Sequence, residues 1–302
     1  MSHHHRGYVG AILAALLFGI SSTLNKIILS DVHPILVAGL IYFIAGIVLF
    51  AVRISPLNNK ILSLLKTPTK TEKTTYRKDY LILAMVIISG SFIAPFLFMY
   101  GLNKTTAVNT SLLLNMESLF TVLIALIFLK EKAMKKDYAG MALLIIGAVF
   151  VTTAGEFMSL ELKKGVFGSI LVVGACLFWG IDNNLSKLLS KKQDLIIITA
   201  LKCSIGGIIL LTLSMLMGIT FNLSLRALPY IFTVGAFSIG FSILLFLFAL
   251  REIGAMKTGV IFSTSSLIGA VFAFIILKEP FTIIQMFAGA IMLYGIYLLY
   301  KK

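Results

Sequence analysis

The sequence predicts an all-α integral membrane protein, with ten transmembrane helices arranged as two inverted five-helix repeats. Three observations carry the prediction. Of the 302 residues, 59% are hydrophobic and only 13% are charged, with a mean hydropathy of +1.02; a soluble domain carries about 25% charged residues. The apolar residues also fall into runs long enough to cross a hydrocarbon core, and the runs recur in two related halves. In lipid each spanning segment must satisfy its own backbone polar groups, so segments of this length form helices rather than open strands.

Polar and charged punctuation sets the ten expected spans: Gly7 to Leu29, Pro34 to Val52, Tyr80 to Tyr100, Ala107 to Leu129, Tyr138 to Thr153, Val166 to Leu189, Leu195 to Met217, Leu228 to Leu250, Ala255 to Leu277 and Phe281 to Tyr300. Between the last two, the corner Lys278-Glu279-Pro280 turns the chain, because proline and charge together end a helix. The first run lacks an A-x-A cleavage site and reads as a retained helix.

The formal charge of +14 is explained by topology and needs no nucleic-acid partner. With both termini cytoplasmic, the inside segments hold the basic loop 53–79, then Lys130 to Lys136, Lys187 to Lys192, Arg251 and Lys257, and Lys301 with Lys302. The opposite side keeps Lys26, Lys104, Lys163, Lys164, Arg226 and Lys278. This bias is the positive-inside pattern and predicts a multi-pass protein of the cell (plasma or inner) membrane. Cys176 and Cys203 both fall within spans and imply no disulfide framework.

The halves show themselves as internal repeats. FGISSTLNK, Phe18 to Lys26, aligns with WGIDNNLSK, Trp179 to Lys187; Ala107 to Glu131 aligns without a gap to Ala255 to Glu279, both ending in LKE. The expected repeats are residues 1–154 and 155–302. Five helices per half make the second enter the membrane from the opposite side, the geometry of carriers that rock about a midplane site.

These segments resemble the EamA family of the drug/metabolite transporter superfamily. The resemblance rests on FLKE (Phe128 to Glu131) and ILKE (Ile276 to Glu279), similar to the family's leucine-glycine-glutamate ending, and on Ala139-Gly140 and Ala288-Gly289 in the helices that follow. LLLNME (Leu112 to Glu117), WGIDNN and ALREIGAMKTG (Ala249 to Gly259) resemble a branch carrying LLNLE and GIDNN segments. The resemblance implies a fold of two five-helix repeats and transport of small organic solutes. Many members have proline where this chain has Ser118 and Ser266, and often arginine where it has Tyr42 and Lys202.

Asp182, Glu117 and Lys202 are the ionisable residues placed deep in the spans. Such a group costs about 2.5–3.5 kcal/mol near a helix centre, so it needs water or a partner. Lys202 lies roughly 12 Å past Asp194 and Asp182 roughly 8 Å before Lys187 at 1.5 Å per residue, depths that permit an ion pair between consecutive helices. That pair is either a fixed strut or part of substrate or proton handling. Glu117, roughly 15 Å deep, is either an anchor for substrate or a protonated acid bonded in a helix interface.

Helical spacing groups further candidates. Asp182 and Ser186 share a face, as do their repeat partners Ser21 and Asn25; Thr110, Glu117 and Thr121 form a stripe mirrored by Thr258 and Ser265, and Ser111, Asn115 and Ser118 one mirrored by Gly259, Ser263 and Ser266. Hydroxyls also bond helices together, so these stripes are either cavity lining or packing. Trp179, with repeat partner Phe18, either gates a site or packs in the core. The expected substrate-binding or coupling set is Glu117, Asp182, Asn115, Asn183, Ser21, Asn25, Ser263 and Trp179. A carboxylate recognises an ammonium group or exchanges a proton, so the expectation is a secondary carrier of an amino acid, amine or similar metabolite, monomeric or homodimeric in the bilayer. An intramembrane enzyme or scaffold is the alternative, but the chain carries no HExxH or P-loop, and no cofactor or metal is expected.

Overall fold

The computed structural model describes residues 3–56, 77–128, 130, 134–153, 164–190, 194–221 and 223–301. Most of the basic loop 53–79, Glu131 and the lysines at 191 and 192 lie outside the described residues. Ten helices are long and apolar enough to span a membrane: α1 (His5–Ile28), α2 (Pro34–Ile54), α3 (Lys78–Lys104), α4 (Ala107–Phe128), α5 (Lys135–Thr153), α6 (Gly165–Ser186), α7 (Ile196–Leu216), α8 (Ala227–Ala249), α9 (Lys257–Leu277) and α10 (Ile283–Tyr300). Each lies within a few residues of its expected span. Ile12, Ile47, Phe128, Ile170, Phe274 and Phe287 stand exposed on the sides of the bundle, as a lipid-facing surface requires.

The interfaces come in repeat-related pairs. α1 packs on α8 as α6 packs on α3, α1 packs on α9 as α6 packs on α4, and α2 with α7 and α5 with α10 pair with their own counterparts. Small residues allow the approach: a Cβ on Gly19 of α1 would lie 2.9 Å from the Ser265 carbonyl oxygen of α9, and one on Gly180 of α6 would lie 2.9 Å from Phe120 Cβ of α4. Gly19 and Gly180 are aligned in the two repeats, and close helix approach through small residues is how membrane helices associate without a hydrophobic driving force.

Backbone irregularities are likewise duplicated. π-helical turns occupy Ile87–Ile93 of α3 and Val234–Phe241 of α8. α4 is interrupted at Leu114 and Asn115, and α9 at Thr264. Neither break involves a proline. In α9 the hydroxyls of Ser263, Thr264 and Ser266 donate to the carbonyls of Val260, Ile261 and Ser263, competing with the helical ladder. The expected α4 stripe is therefore not continuous: Thr110 lies on Ala107–Leu113, Glu117 and Thr121 on Met116–Phe128. α1 also breaks, at Ile20, whereas helical backbone runs unbroken from Lys164 to Ser190 through α6.

One junction differs in kind from its expectation. Helical hydrogen bonding runs from Ser242 to Ser263, so no loop separates α8 from α9, yet the chain reverses inside this segment. Ser242 bonds the Ala14 carbonyl and Gly10 abuts Phe248, while the Phe18 ring stands 5.2 Å from that of Phe262. Both ends of the segment thus lie against the middle of α1.

We call the end holding His3 and Lys301 the terminal end and the other the distal end. The lysines of the two LKE corners, Lys278 at the distal end and Lys130 at the terminal end, acquire a physical reading. Lys130 and Lys278, aligned in the two repeats, have φ of 53° and 57° and are the only non-glycine residues with positive φ among those described. A side chain in the left-handed region costs about 1–2 kcal/mol, which accounts for glycine in the related motif. Lys278→Gly is expected to raise stability by about 1 kcal/mol, read as a higher thermal midpoint in detergent; an unchanged or lower midpoint would show that the lysine side chain compensates its strain.

Glu279 follows at once, and its two carboxylate oxygens accept from the backbone N–H of Ala107 (3.0 Å) and Val108 (2.9 Å), while the Thr106 hydroxyl accepts from Asn109 N–H. The otherwise unpaired N–H groups of the first turn of α4 are thus capped from the α9–α10 corner, where a carboxylate is favoured by the helix dipole. Gln285 of α10 donates to the Asn109 side chain at 2.6 Å. Lys26 of α1 donates to the Leu102 and Thr105 carbonyls at 2.7 and 2.6 Å, closing on the C-terminal end of α3. Together these bonds tie α1, α3, α4 and α10 across the distal end.

Candidate functional site

Asp182 sits on α6 where the helix crosses α3 and α7. Lys202 of α7 donates to its Oδ2 at 2.6 Å, and Ser186, one turn along, donates to Oδ1 at 2.8 Å. Side-chain exposures of 5% for Asp182 and 16% for Lys202 make this a buried ion pair. The predicted pairing is therefore made. The third wall is Gly90, in the π-helical turn of α3, where a Cβ would stand 2.7 Å from Asp182 Cβ. A π turn shifts the backbone ladder by one residue, and the Gly90 carbonyl here accepts from Trp179 Nε1 at 3.1 Å. Trp179 is thus held by α3 at both ends of its ring, since it also meets Phe98 at a centroid distance of 5.4 Å.

Glu117 opens the second segment of α4, directly after the break. Its Oε1 accepts from Asn183 Nδ2 at 2.8 Å, and the same amide donates to the Thr121 hydroxyl at 3.2 Å. Asn184 reaches α4 from the other side of the same contact, donating to the Thr121 carbonyl and to its own Gly180 carbonyl, both at 2.9 Å. Both asparagines of WGIDNN thus engage α4, while Asp182, turned away by the helical twist, engages α3 and α7. Cys176 Sγ contacts the Leu113 carbonyl at the break, 3.5 Å away, and Tyr42 of α2 is buried beside the centre.

The remaining candidates divide. Asn25 and Asn115 are buried, and the Asn25 Oδ1 and Asn115 Nδ2 atoms have no hydrogen-bond partner among the described residues; the same holds for the hydroxyls of Ser22, Thr23, Thr110, Ser111 and Thr258. Ser21 is buried beside Ser22 at the start of the second segment of α1. The Ser263 hydroxyl is satisfied within its own helical turn and is not joined to the Asp182 or Glu117 clusters. Thr121 joins the centre with Glu117, its partner in the expected stripe, whereas sequence reasoning left out Gly90 and Asn184, and no spacing signal joins Gly90 to Asp182, since the approach depends on how α3 lies on α6. No group of three or more His, Cys, Asp or Glu suited to a metal occurs among the described residues. A separate cleft of about 510 Å³ at the distal surface, lined by Ile27, Asp31, Arg226, Ala227, Pro229 and Tyr230, shares no residue with this centre.

The duplication of the fold is also what comparison with known proteins finds. The model of the EamA-like transporter family matches residues 5–153 and again 166–301. The chain belongs to the EamA-like transporter family. It is similar to an uncharacterized transporter of Methanothermobacter thermautotrophicus, 46% identical over 97% of this chain and 86% of the relative. It is also similar to the uncharacterized transporter YoaV of Bacillus subtilis, 25% identical over 96% of this chain and 95% of that protein. One solved crystal structure, 15% identical, superimposes with a TM-score of 0.66 over 97% of this chain and 95% of that one, and this likeness concerns the fold. As an EamA-like protein the chain is a multi-pass membrane transporter of small molecules, not an enzyme, and the bilayer is its medium.

Proposed function

We propose that this transporter is a secondary carrier of a small organic metabolite, working by alternating access around the centre formed by Glu117, Asp182, Asn183 and Lys202. Both termini then face the cytoplasm of a cell membrane, in keeping with the basic residues at the terminal end. The observation that carries the reading is an asymmetry between faces that the repeat makes equivalent. On α1, Ser22 is 1% exposed and Thr23 and Asn25 are buried, all three with unpaired polar atoms. On α6 their partners Asn183, Asn184 and Ser186 are all hydrogen-bonded, and Asn183 is exposed. A bonded amide exposed at this depth faces water rather than lipid.

Two halves of one pattern in different arrangements are what a rocking inverted repeat presents on its closed and open sides. The bonds of Lys26, Glu279 and Gln285 act as the seal on the distal side, and the exposed Asn183 beside α4 faces the side of the termini. In the opposite state the unpaired atoms of α1 become the wetted face, which gives their burial a purpose that static packing does not.

The test is side-specific labelling of the full chain in vesicles. An Asn183→Cys variant is expected to react with an impermeant maleimide from the side of the termini, and Ser22→Cys only slowly from either side. Removing the seal with Glu279→Ala costs about 1.4 kcal/mol of capping interaction, which shifts a two-state population roughly tenfold. Ser22→Cys labelling from the distal side should then rise and Asn183→Cys labelling fall. Simultaneous labelling of both positions from both sides would indicate a channel, and saturable solute flux into the same vesicles separates a carrier from a scaffold.

A further inference from the structure

The carrier reading leaves the substrate class open between zwitterions and amines, and the charge balance of the centre, resting on that reading, separates them. We infer that the central site takes a small amine bearing one positive charge and no carboxylate. Asp182 is already compensated: one oxygen lies 2.6 Å from the Lys202 ammonium and the other accepts from Ser186. Glu117 is not. Its Oε1 is bonded by a neutral amide, and Oε2 accepts no hydrogen bond from the described residues. The other ionisable groups around it are the neutral side chains of Tyr42, Cys176 and Tyr300. With Glu117 ionised, the centre carries one negative charge in excess.

An ionised carboxylate at this depth is costly until a cation joins it, and an ammonium supplies both the charge and N–H donors for Oε2. Among the described side chains the carboxylate of an amino acid finds no such partner at the centre. Lys202 is engaged by Asp182, Arg53 lies with Asp194 at the terminal end (2.9 Å), and Lys26 is held by carbonyls at the distal end. Binding a zwitterion therefore either leaves its carboxylate without a cation or breaks the Asp182–Lys202 pair, whereas an amine requires neither. Trp179, one helical turn before Asn183 and backed by the Phe98 ring, suits the apolar body of such a ligand.

Matched probes on one carbon skeleton test this: phenethylamine, phenylalanine and 3-phenylpropionate, and likewise isopentylamine, leucine and 4-methylpentanoate. Thermal midpoints of the purified full chain and counterflow in proteoliposomes are read for each. At least one amine is expected to raise the midpoint and to drive counterflow at least about tenfold better than its amino acid and acid, a discrimination of about 1.4 kcal/mol. Glu117→Gln should abolish the effect while keeping the unliganded midpoint near wild type, and Glu117→Asp should retain part of it. The inference is overturned if an amino acid or acid performs as well as its amine, if no amine acts, or if Glu117→Gln still responds. Saturable flux of a zwitterion would sink this inference and leave the carrier reading standing; absence of saturable flux for any solute class would sink both.

Discussion

Lys202→Met is expected to destabilise the protein by about 3–5 kcal/mol, because it leaves the Asp182 carboxylate buried with only the Ser186 hydroxyl for a partner. Asp182→Asn should cost less, since the amide carries no charge, though it leaves the Lys202 ammonium without its counter-ion. The informative protein is the double variant Asp182→Asn with Lys202→Met. Neutral groups of similar volume in place of a buried pair are often neutral or stabilising, so its midpoint should return close to wild type. Chemical or thermal unfolding in detergent checks the stability, and flux in vesicles decides the role. If the stable double variant transports normally, the pair is a strut; if it folds but does not transport, the pair has to open during the cycle. A double variant less stable than both singles would contradict the pairing itself.

The second large effect is expected at Gly90. A Cβ there would stand 2.7 Å from Asp182 Cβ, and a methylene carbon so near its own backbone has little room to retreat. Overpacking of this kind costs about 1–3 kcal/mol, and the nearest relief, a shift of α6 away from α3, lengthens both the Lys202–Asp182 contact and the bond from Trp179 to the Gly90 carbonyl. Gly90→Ala should therefore lower transport further than it lowers stability, and Gly90→Val should impair both. Tryptophan fluorescence gives an independent readout, because Trp179 is the sole tryptophan and its N–H partner would move. A Gly90→Val protein with unaltered fluorescence and flux would show that the π-helical turn yields without disturbing α6.

Elements set by local composition were legible in advance. All ten spans, the repeat and the LKE corners follow from hydropathy and self-alignment, because lipid leaves an apolar run of about 20 residues few alternatives to a helix. The Asp182–Lys202 pair was legible too, from depth alone, since consecutive helices bring residues of equal depth to one level. The Glu117–Asn183 bond was not, because α4 and α6 are not consecutive, α5 lying between them in the chain, and depth does not choose a neighbour. The helix interruptions escaped the sequence for another reason. Proline is the kink signal a sequence carries, whereas α9 is interrupted where hydroxyls take its own carbonyls, and the same residue types sit undisturbed in straight helices.

Glu279 shows the limit most clearly. Its identity, its place after a left-handed lysine and its duplicate in the first half are all written in the chain, but its partners are the N–H groups of residues 172 and 171 positions earlier. Sequence alone determined that this protein is a membrane-spanning helical bundle of two inverted halves with acids and a base within its spans, because apolar runs of about 20 residues satisfy their backbone in lipid as helices and an odd number of them per repeat inverts the second half. Tertiary structure alone decided which of two related polar faces is covered and which carboxylate pairs with Lys202. Those outcomes depend on distances between helices far apart in the chain, and the related sequence patterns on α1 and α6 are compatible with either side being closed.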